Sequence, residues 1–124
     1  MIDHITIRVS DIERTTKFYT ETLKPLGYTT TMKYDDPNGV RVVGFGKNGK
    51  NSTWFTTESP VSTPVHIAWV AGSKEEVNQF YKGAMKCGGK DNGAPGIRPE
   101  YGESYYAGFV IDPDGNNVEA VFRG

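Results

Sequence analysis

His4-Ile-Thr-Ile-Arg-Val9 and His66-Ile-Ala-Trp-Val-Ala71 are the two runs that decide the fold. Each opens on a histidine, and the chain has no others. In the first run Ile5, Ile7 and Val9 alternate with His4, Thr6 and Arg8, the period of a half-buried strand. A helix start follows each run, Ser10-Asp-Ile-Glu13 and Ser73-Lys-Glu-Glu76. Both read as capping boxes, in which the hydroxyl takes an orphan amide and the carboxylate reaches back. Each helix then carries a Phe-Tyr pair, Phe18-Tyr19 and Phe80-Tyr81, at the interval that separates the two histidines. One motif is therefore used twice. Two histidines in equivalent slots are what a metal or catalytic centre between the copies requires.

Working outward, the first helix is expected to run to about Lys24, with Ile12, Thr16, Tyr19 and Leu23 on one face and Phe18 beside them. Pro25 and Gly27 stop it. Strands are expected over 28–34, 40–46 and 52–57, parted by Asp35-Asp-Pro-Asn-Gly39 and Lys47-Asn-Gly-Lys-Asn51. Pro60 to Pro64 is the seam between module one, 1–60, and module two, 61–124. The second copy reads as strand 65–71, helix 74–87 with Val77, Phe80, Tyr81 and Ala84 inward, and a weak strand near 89–92. Strands 105–111 and 117–122 close it around Asp112-Pro-Asp-Gly-Asn116. The class is α+β, each copy running strand, helix, three strands. Between them Asn92 to Ser104 reads as a long Gly/Pro segment without structure of its own, and such segments are commonly functional lids.

A chain of 124 residues suits one domain, and halves this small should share a core. Net charge is -1, from 14 basic and 15 acidic residues, with no like-charge run. That leaves no electrostatic footprint for nucleic acid or an anionic membrane. Cys87 is the single cysteine, so no intrachain disulfide forms and a reducing compartment is expected. No apolar stretch approaches the ~20 residues of a membrane span. No basic and apolar leader precedes the first strand, so a soluble cytoplasmic protein is the expectation.

Asp3-His-Ile-Thr-Ile-Arg-Val-Ser-Asp11 with Phe18-Tyr19, Val65-His-Ile-Ala68 and Asp112-Pro-Asp-Gly-Asn-Asn-Val-Glu119 resemble the vicinal oxygen chelate superfamily. That group holds glyoxalase I, extradiol dioxygenases, and the bleomycin- and fosfomycin-resistance proteins. Gly93-Ala-Pro-Gly-Ile-Arg-Pro99 with Tyr105-Tyr106 looks like a glyoxalase-like subgroup. The resemblance implies two βαβββ modules whose mixed sheets curl into an incomplete barrel around a cleft, commonly in a homodimer. It implies metal ligands at His4, His66 and Glu119. Glyoxalase I adds a carboxylate on the last strand of module one. Counting back from Glu119 by the interval between the histidines gives Thr57, with Glu58 next, which sets this chain apart from glyoxalase I.

Two imidazoles and a carboxylate make a facial triad with open positions for water or a chelating substrate, and suit Zn, Ni, Fe, Mn or Co. Alternation supports it. His4, His66 and Glu119 lie opposite Ile5/Ile7, Ile67/Trp69 and Val118/Ala120/Phe122, which can pack under the helices. For a histidine alone, a hydrogen-bonded strand end would be the simpler explanation. Glu58, Tyr101 and Tyr105 are the candidates for acid–base work; Arg8, Trp54, Arg98, Tyr101 and Tyr106 are the candidates for holding substrate. Trp54, Phe55 and Trp69 also suit the core, and one of Tyr105 and Tyr106 must face inward. Cys87 reads as a small buried hydrophobe rather than a nucleophile. The expected function is a metal-dependent lyase or isomerase working through a stabilised enolate or oxyanion. The alternatives are a non-catalytic small-ligand binder of the bleomycin-resistance kind and a thiol transferase acting on a phosphonate.

Overall fold

The computed structural model describes residues 2–124. The first sheet has strand β1 (Ile5–Arg8) running parallel to β4 (Lys50–Thr56), with β3 (Arg41–Lys47) and β2 (Thr29–Asp35) following antiparallel. The second sheet repeats the plan. Strand β5 (His66–Val70) runs parallel to β9 (Asn117–Arg123), and β8 (Tyr105–Ile111) and β6 (Lys90–Asp91) continue it antiparallel. A short β7 (Gly96–Ile97) also pairs with β8. The sheet orders are β1-β4-β3-β2 and β5-β9-β8-β6, and neither closes into a barrel.

Helices α1 (Ile12–Leu23) and α2 (Lys74–Lys86) pack on each other and under the sheets. One hydrophobic core spans both copies. Tyr19 of α1 stacks on Phe55 of β4 at 4.5 Å and meets Trp69 of β5 at 6.0 Å, so one aromatic cluster crosses the seam. Phe18, Phe45, Phe80, Leu23 and Val77 complete it, all buried. Each such side chain stabilises the fold by about 1.5–3 kcal/mol relative to exposure. The apolar positions of β1, Ile7 and Val9, lie in this core, as the alternation requires.

The first helix cap differs from the capping box expected at Ser10. The cap is Asp11, whose carboxylate accepts from Arg14 N at 3.1 Å. Ser10 is occupied elsewhere, with its hydroxyl on Asp114, and Glu13 pairs with Arg41 at 2.7 Å rather than reaching back. At α2 the serine half of the box holds, Ser73 accepting from Glu76 N at 3.1 Å, but the Glu76 carboxylate takes the amide of Gly72. After Leu23 the chain tightens into a 3-10 turn, Lys24–Leu26, and ends on Gly27 at φ 86°.

The segment 92–104 is more ordered than its Gly/Pro content suggests. Asn92 N donates to Phe109 O at 3.1 Å, Phe109 N to Gly93 O at 2.8 Å and Arg98 N to Tyr105 O at 2.8 Å. With β7 these bonds fasten it along β8, because β8 would otherwise leave that edge unpaired. Only the 3-10 turn Pro99–Tyr101 and the residues after it stand off.

Candidate functional site

Strand register sets which side chains share the face turned away from the helices. His66 lies beside Asn117, Ala68 beside Glu119, Phe109 opposite Glu119 and Tyr105 opposite Arg123. The helix-side residues Trp69, Val110, Val118 and Ala120 are in the core, so His66, Glu119, Phe109 and Tyr105 form the other face. There His66 Nε2 lies 2.7 Å from Glu119 Oε2, and the Tyr105 hydroxyl donates to Glu119 Oε1. Glu119 is 1% exposed, yet both its oxygens are satisfied, as a buried carboxylate must be. Burial, then the hydrogen bond to Glu119 and its charge, push the Tyr105 phenol up to about 12. Tyr105 is therefore a hydrogen-bond donor at any ordinary pH.

The turn 112–116 holds this pair in place. Asp112 accepts from the amides of Asp114 and Asn116 at 2.9 and 2.8 Å, from Asn116 Nδ2 at 2.9 Å and from the Tyr19 hydroxyl. Asn116 Oδ1 then accepts from Val65 N at 2.9 Å, and Asn117 N donates to Val65 O at 2.9 Å. The residue before His66 is tied on both sides to the strand that carries Glu119. A helix of the first copy thus fixes the register of the second copy's site.

His4 stands elsewhere. It precedes β1 in the first sheet, and its Nδ1 lies 2.7 Å from Asp3 Oδ1, both side chains being exposed. The bond from His4, then Lys50, hold the Asp3 carboxyl below its ordinary range. It opens on a cleft of about 590 Å³ that Thr6, Tyr34, Val42, Trp54 and Glu58 also line. Among the described residues no three His, Cys, Asp or Glu side chains come together. Within one chain the expected triad is thus a pair, His66 with Glu119, and a separate histidine. The pair does suit a metal ion, since it faces an imidazole nitrogen and a carboxylate oxygen toward each other.

The other candidates divide between the two faces. Arg8 pairs with Glu58 at 3.3 Å beside His4, not with Glu119. Tyr101 is 60% exposed and sets its ring edge on Tyr105 at 5.3 Å. Tyr106 lies on the helix side, donating to Asn78 Oδ1 at 2.6 Å, which removes it from the cleft. Arg98 lies over Phe109 at 5.4 Å. The alternation Glu119, Val121, Arg123 puts Arg123 on the site face too, over Tyr105 at 4.7 Å. Strand phase alone places Arg123 in line with Glu119.

Register also corrects the expected counterpart of Glu119. Ile5 pairs with Thr53 and Thr6 with Trp54, whereas Ile67 pairs with Val118 and Ala68 with Glu119. Trp54, rather than Thr57, therefore occupies the equivalent place in module one. A fixed interval fails there because the two copies differ in length between their first and last strands. An indole stands where a second carboxylate ligand would be.

Comparison with known proteins agrees with this architecture. The family model of the Glyoxalase/Bleomycin resistance protein/Dioxygenase superfamily matches residues 1–120. A lactoylglutathione lyase of Arabidopsis thaliana is 30% identical over 98% of this chain, which spans 44% of that relative's length. A probable lactoylglutathione lyase of Synechocystis is 28% identical, with 95% of this chain and 92% of that protein covered. The crystal structure of a glyoxalase/bleomycin resistance protein from Albidiferax ferrireducens superposes with a TM-score of 0.82, at 25% identity and 99% coverage of both chains. With the doubled strand–helix–strand plan and a match over nearly the whole length, the chain belongs to the glyoxalase/bleomycin resistance protein/dioxygenase superfamily.

Proposed function

We propose that this protein is a metal-dependent small-molecule enzyme with lyase or isomerase chemistry of the glyoxalase kind. The observation that carries it is the His66–Glu119 pair, 2.7 Å apart on the open face of the second sheet. His66 and Glu119 would hold the ion with His4 of a second copy, because His4 lies on the first sheet of its own chain. A divalent ion there acts as a Lewis acid toward negative charge developing on a substrate oxygen. The protein's own residues do the rest. Tyr105 fixes the Glu119 carboxylate, and the clamp through Asn116 fixes the backbone of His66. Phe109 stands beside the His66 ring at 6.2 Å and gives the site an apolar flank. Glu58 and Tyr101, the ionisable candidates left free of Glu119, are the groups available to move a proton. The relatives named lactoylglutathione lyase support this reading, and Trp54 in place of a carboxylate argues for a ligand set other than that of glyoxalase I.

The test is elemental analysis of purified protein beside His66→Ala. Wild type should retain a stoichiometric divalent ion and the variant none, with its circular dichroism unchanged, since apolar packing holds the sheet. Screening dicarbonyls, catechols and phosphonates by metal-dependent thermal shift then narrows the substrate. The same metal content in both proteins would sink the assignment. A second reading has its own support: Tyr105 and His66 already satisfy both Glu119 oxygens. A non-catalytic binder needs no more than that, and metal-free wild type that still binds ligand would establish it.

A further inference from the structure

We propose that the ligand of the His66–Glu119 face is a small anion, a carboxylate or phosphonate, with Arg98 as its principal anchor and Arg123 as a second positive group. This rests on the reading of that face as a small-molecule site and names the substrate class. Of the five arginines, Arg8, Arg14 and Arg41 have carboxylate partners, on Glu58, Asp114, and Glu13 with Asp35. Among the described residues Arg98 and Arg123 have none. Both of these lie on the site face, each against an aromatic ring of β8, Arg98 over Phe109 and Arg123 over Tyr105. Phe109 and Tyr105 are the residues next to His66 and Glu119.

Arg98 is held in a cradle. Its Nη2 donates to Ala94 O at 2.7 Å. A Cβ at Gly93 would come within 3.1 Å of that nitrogen, and one at Gly96 within 3.1 Å of Nη1. Gly96 has no positive φ to require glycine, so the room it leaves is room for the guanidinium. A guanidinium has five N–H donors in a planar fork, and Arg98 commits one side-chain bond. A cation ordered beforehand, stacked, and lacking a counter-charge is an anion receptor, because a planar fork binds an oxyanion bidentately at little cost in ordering. Glu100 and Glu103, on the same segment, pair with neither arginine.

The rival partner is a second copy of this chain, whose Asp3 and Asp36 line the His4 cleft. Calorimetric titration of metal-stripped full-length protein with phosphonoacetate and with its neutral trialkyl ester separates the two. Phosphonoacetate should bind wild type, weaken with salt, and lose at least about tenfold in Arg98→Gln. Arg123→Gln should lose less, and the neutral ester should not bind. Arg98→Lys keeps a charge but not the fork. With unchanged circular dichroism it should fall between wild type and Arg98→Gln, which keeps the test valid if the glutamine variant fails to fold. The proposal is overturned if the ester binds as well as the acid, if Arg98→Gln leaves the affinity unchanged, or if the variants only dissociate an oligomer. Failure of the metal reading would show separately in elemental analysis and would leave this titration standing.

Discussion

Tyr19 shows at the scale of one residue how this chain joins its halves. It is buried, stacked on Phe55, and donates to Asp112, whose other bonds hold the turn before β9. Burial first, then the Asp112 charge, hold its phenol well above the ordinary 10.0. The linkage has one sign. Above about pH 10 the unfolded chain ionises this tyrosine while the folded chain keeps it neutral. The contribution is therefore complete below that pH and is lost as pH rises toward the raised value. Tyr19→Phe should cost about 1–3 kcal/mol at neutral pH, because a buried carboxylate loses a donor. It should also flatten the alkaline fall in stability. Urea unfolding of both proteins at neutral pH and near pH 10.5 checks this, and parallel curves would show that Tyr19 does not carry the effect.

At the scale of elements, β3 and β4 meet through a missing side chain. A Cβ on Gly44 would lie 2.6 Å from Trp54 Cζ3, so the indole lies flat across the glycine. Gly44→Ala should push that ring off the sheet, cost about 1–3 kcal/mol as overpacking does, and shift the tryptophan fluorescence. An unchanged spectrum and melting point would contradict this placement. The segment after α2 gives the second test. Its backbone bonds to β8 predict slow hydrogen exchange at Asn92 and Arg98 and fast exchange at 100–104, where Tyr101 is exposed. Uniformly fast exchange over 92–104 would restore a free lid. Here the sequence was partly legible. Alternation located β5, β8 and β9 to within a residue, and β1 inside an alternating run that extended past it at both ends, since one face of each is core. Gly and Pro content suggested a loose segment because pairing to β8 is a long-range event. Trp54 was hidden for the same reason, as only the β1–β4 register shows that it stands where Glu119 stands in the second sheet.

The whole molecule places its two histidines on different open faces, and this decides what assembly must do. His66 and Glu119 were legible as a pair because strand phase is local. Under the proposed metal site, His4 would reach them only from a second copy. Both sheets carry exposed apolar side chains, Met32 and Tyr34 on the first and Val70 on the second. Strands β1 and β5 are sheet edges, surfaces a partner can cover. A homodimer that sets the first sheet of one copy against the second sheet of the other would bring His4 to His66 and Glu119. Sedimentation at micromolar concentration should then show a dimer. The sharper experiment mixes two inactive variants. His4→Ala and His66→Ala should each lose metal uptake alone. In a hybrid dimer one of the two sites draws its His4 from the His66→Ala chain and its His66 and Glu119 from the His4→Ala chain, and is intact. Mixing after subunit exchange should recover about a quarter of the wild-type metal, as random pairing of a twofold assembly gives. If His4→Ala alone keeps its metal, His4 is no ligand and the site is the His66–Glu119 pair alone; if both variants lose metal and mixing recovers nothing while hybrids form, His4 does not reach that pair across a dimer.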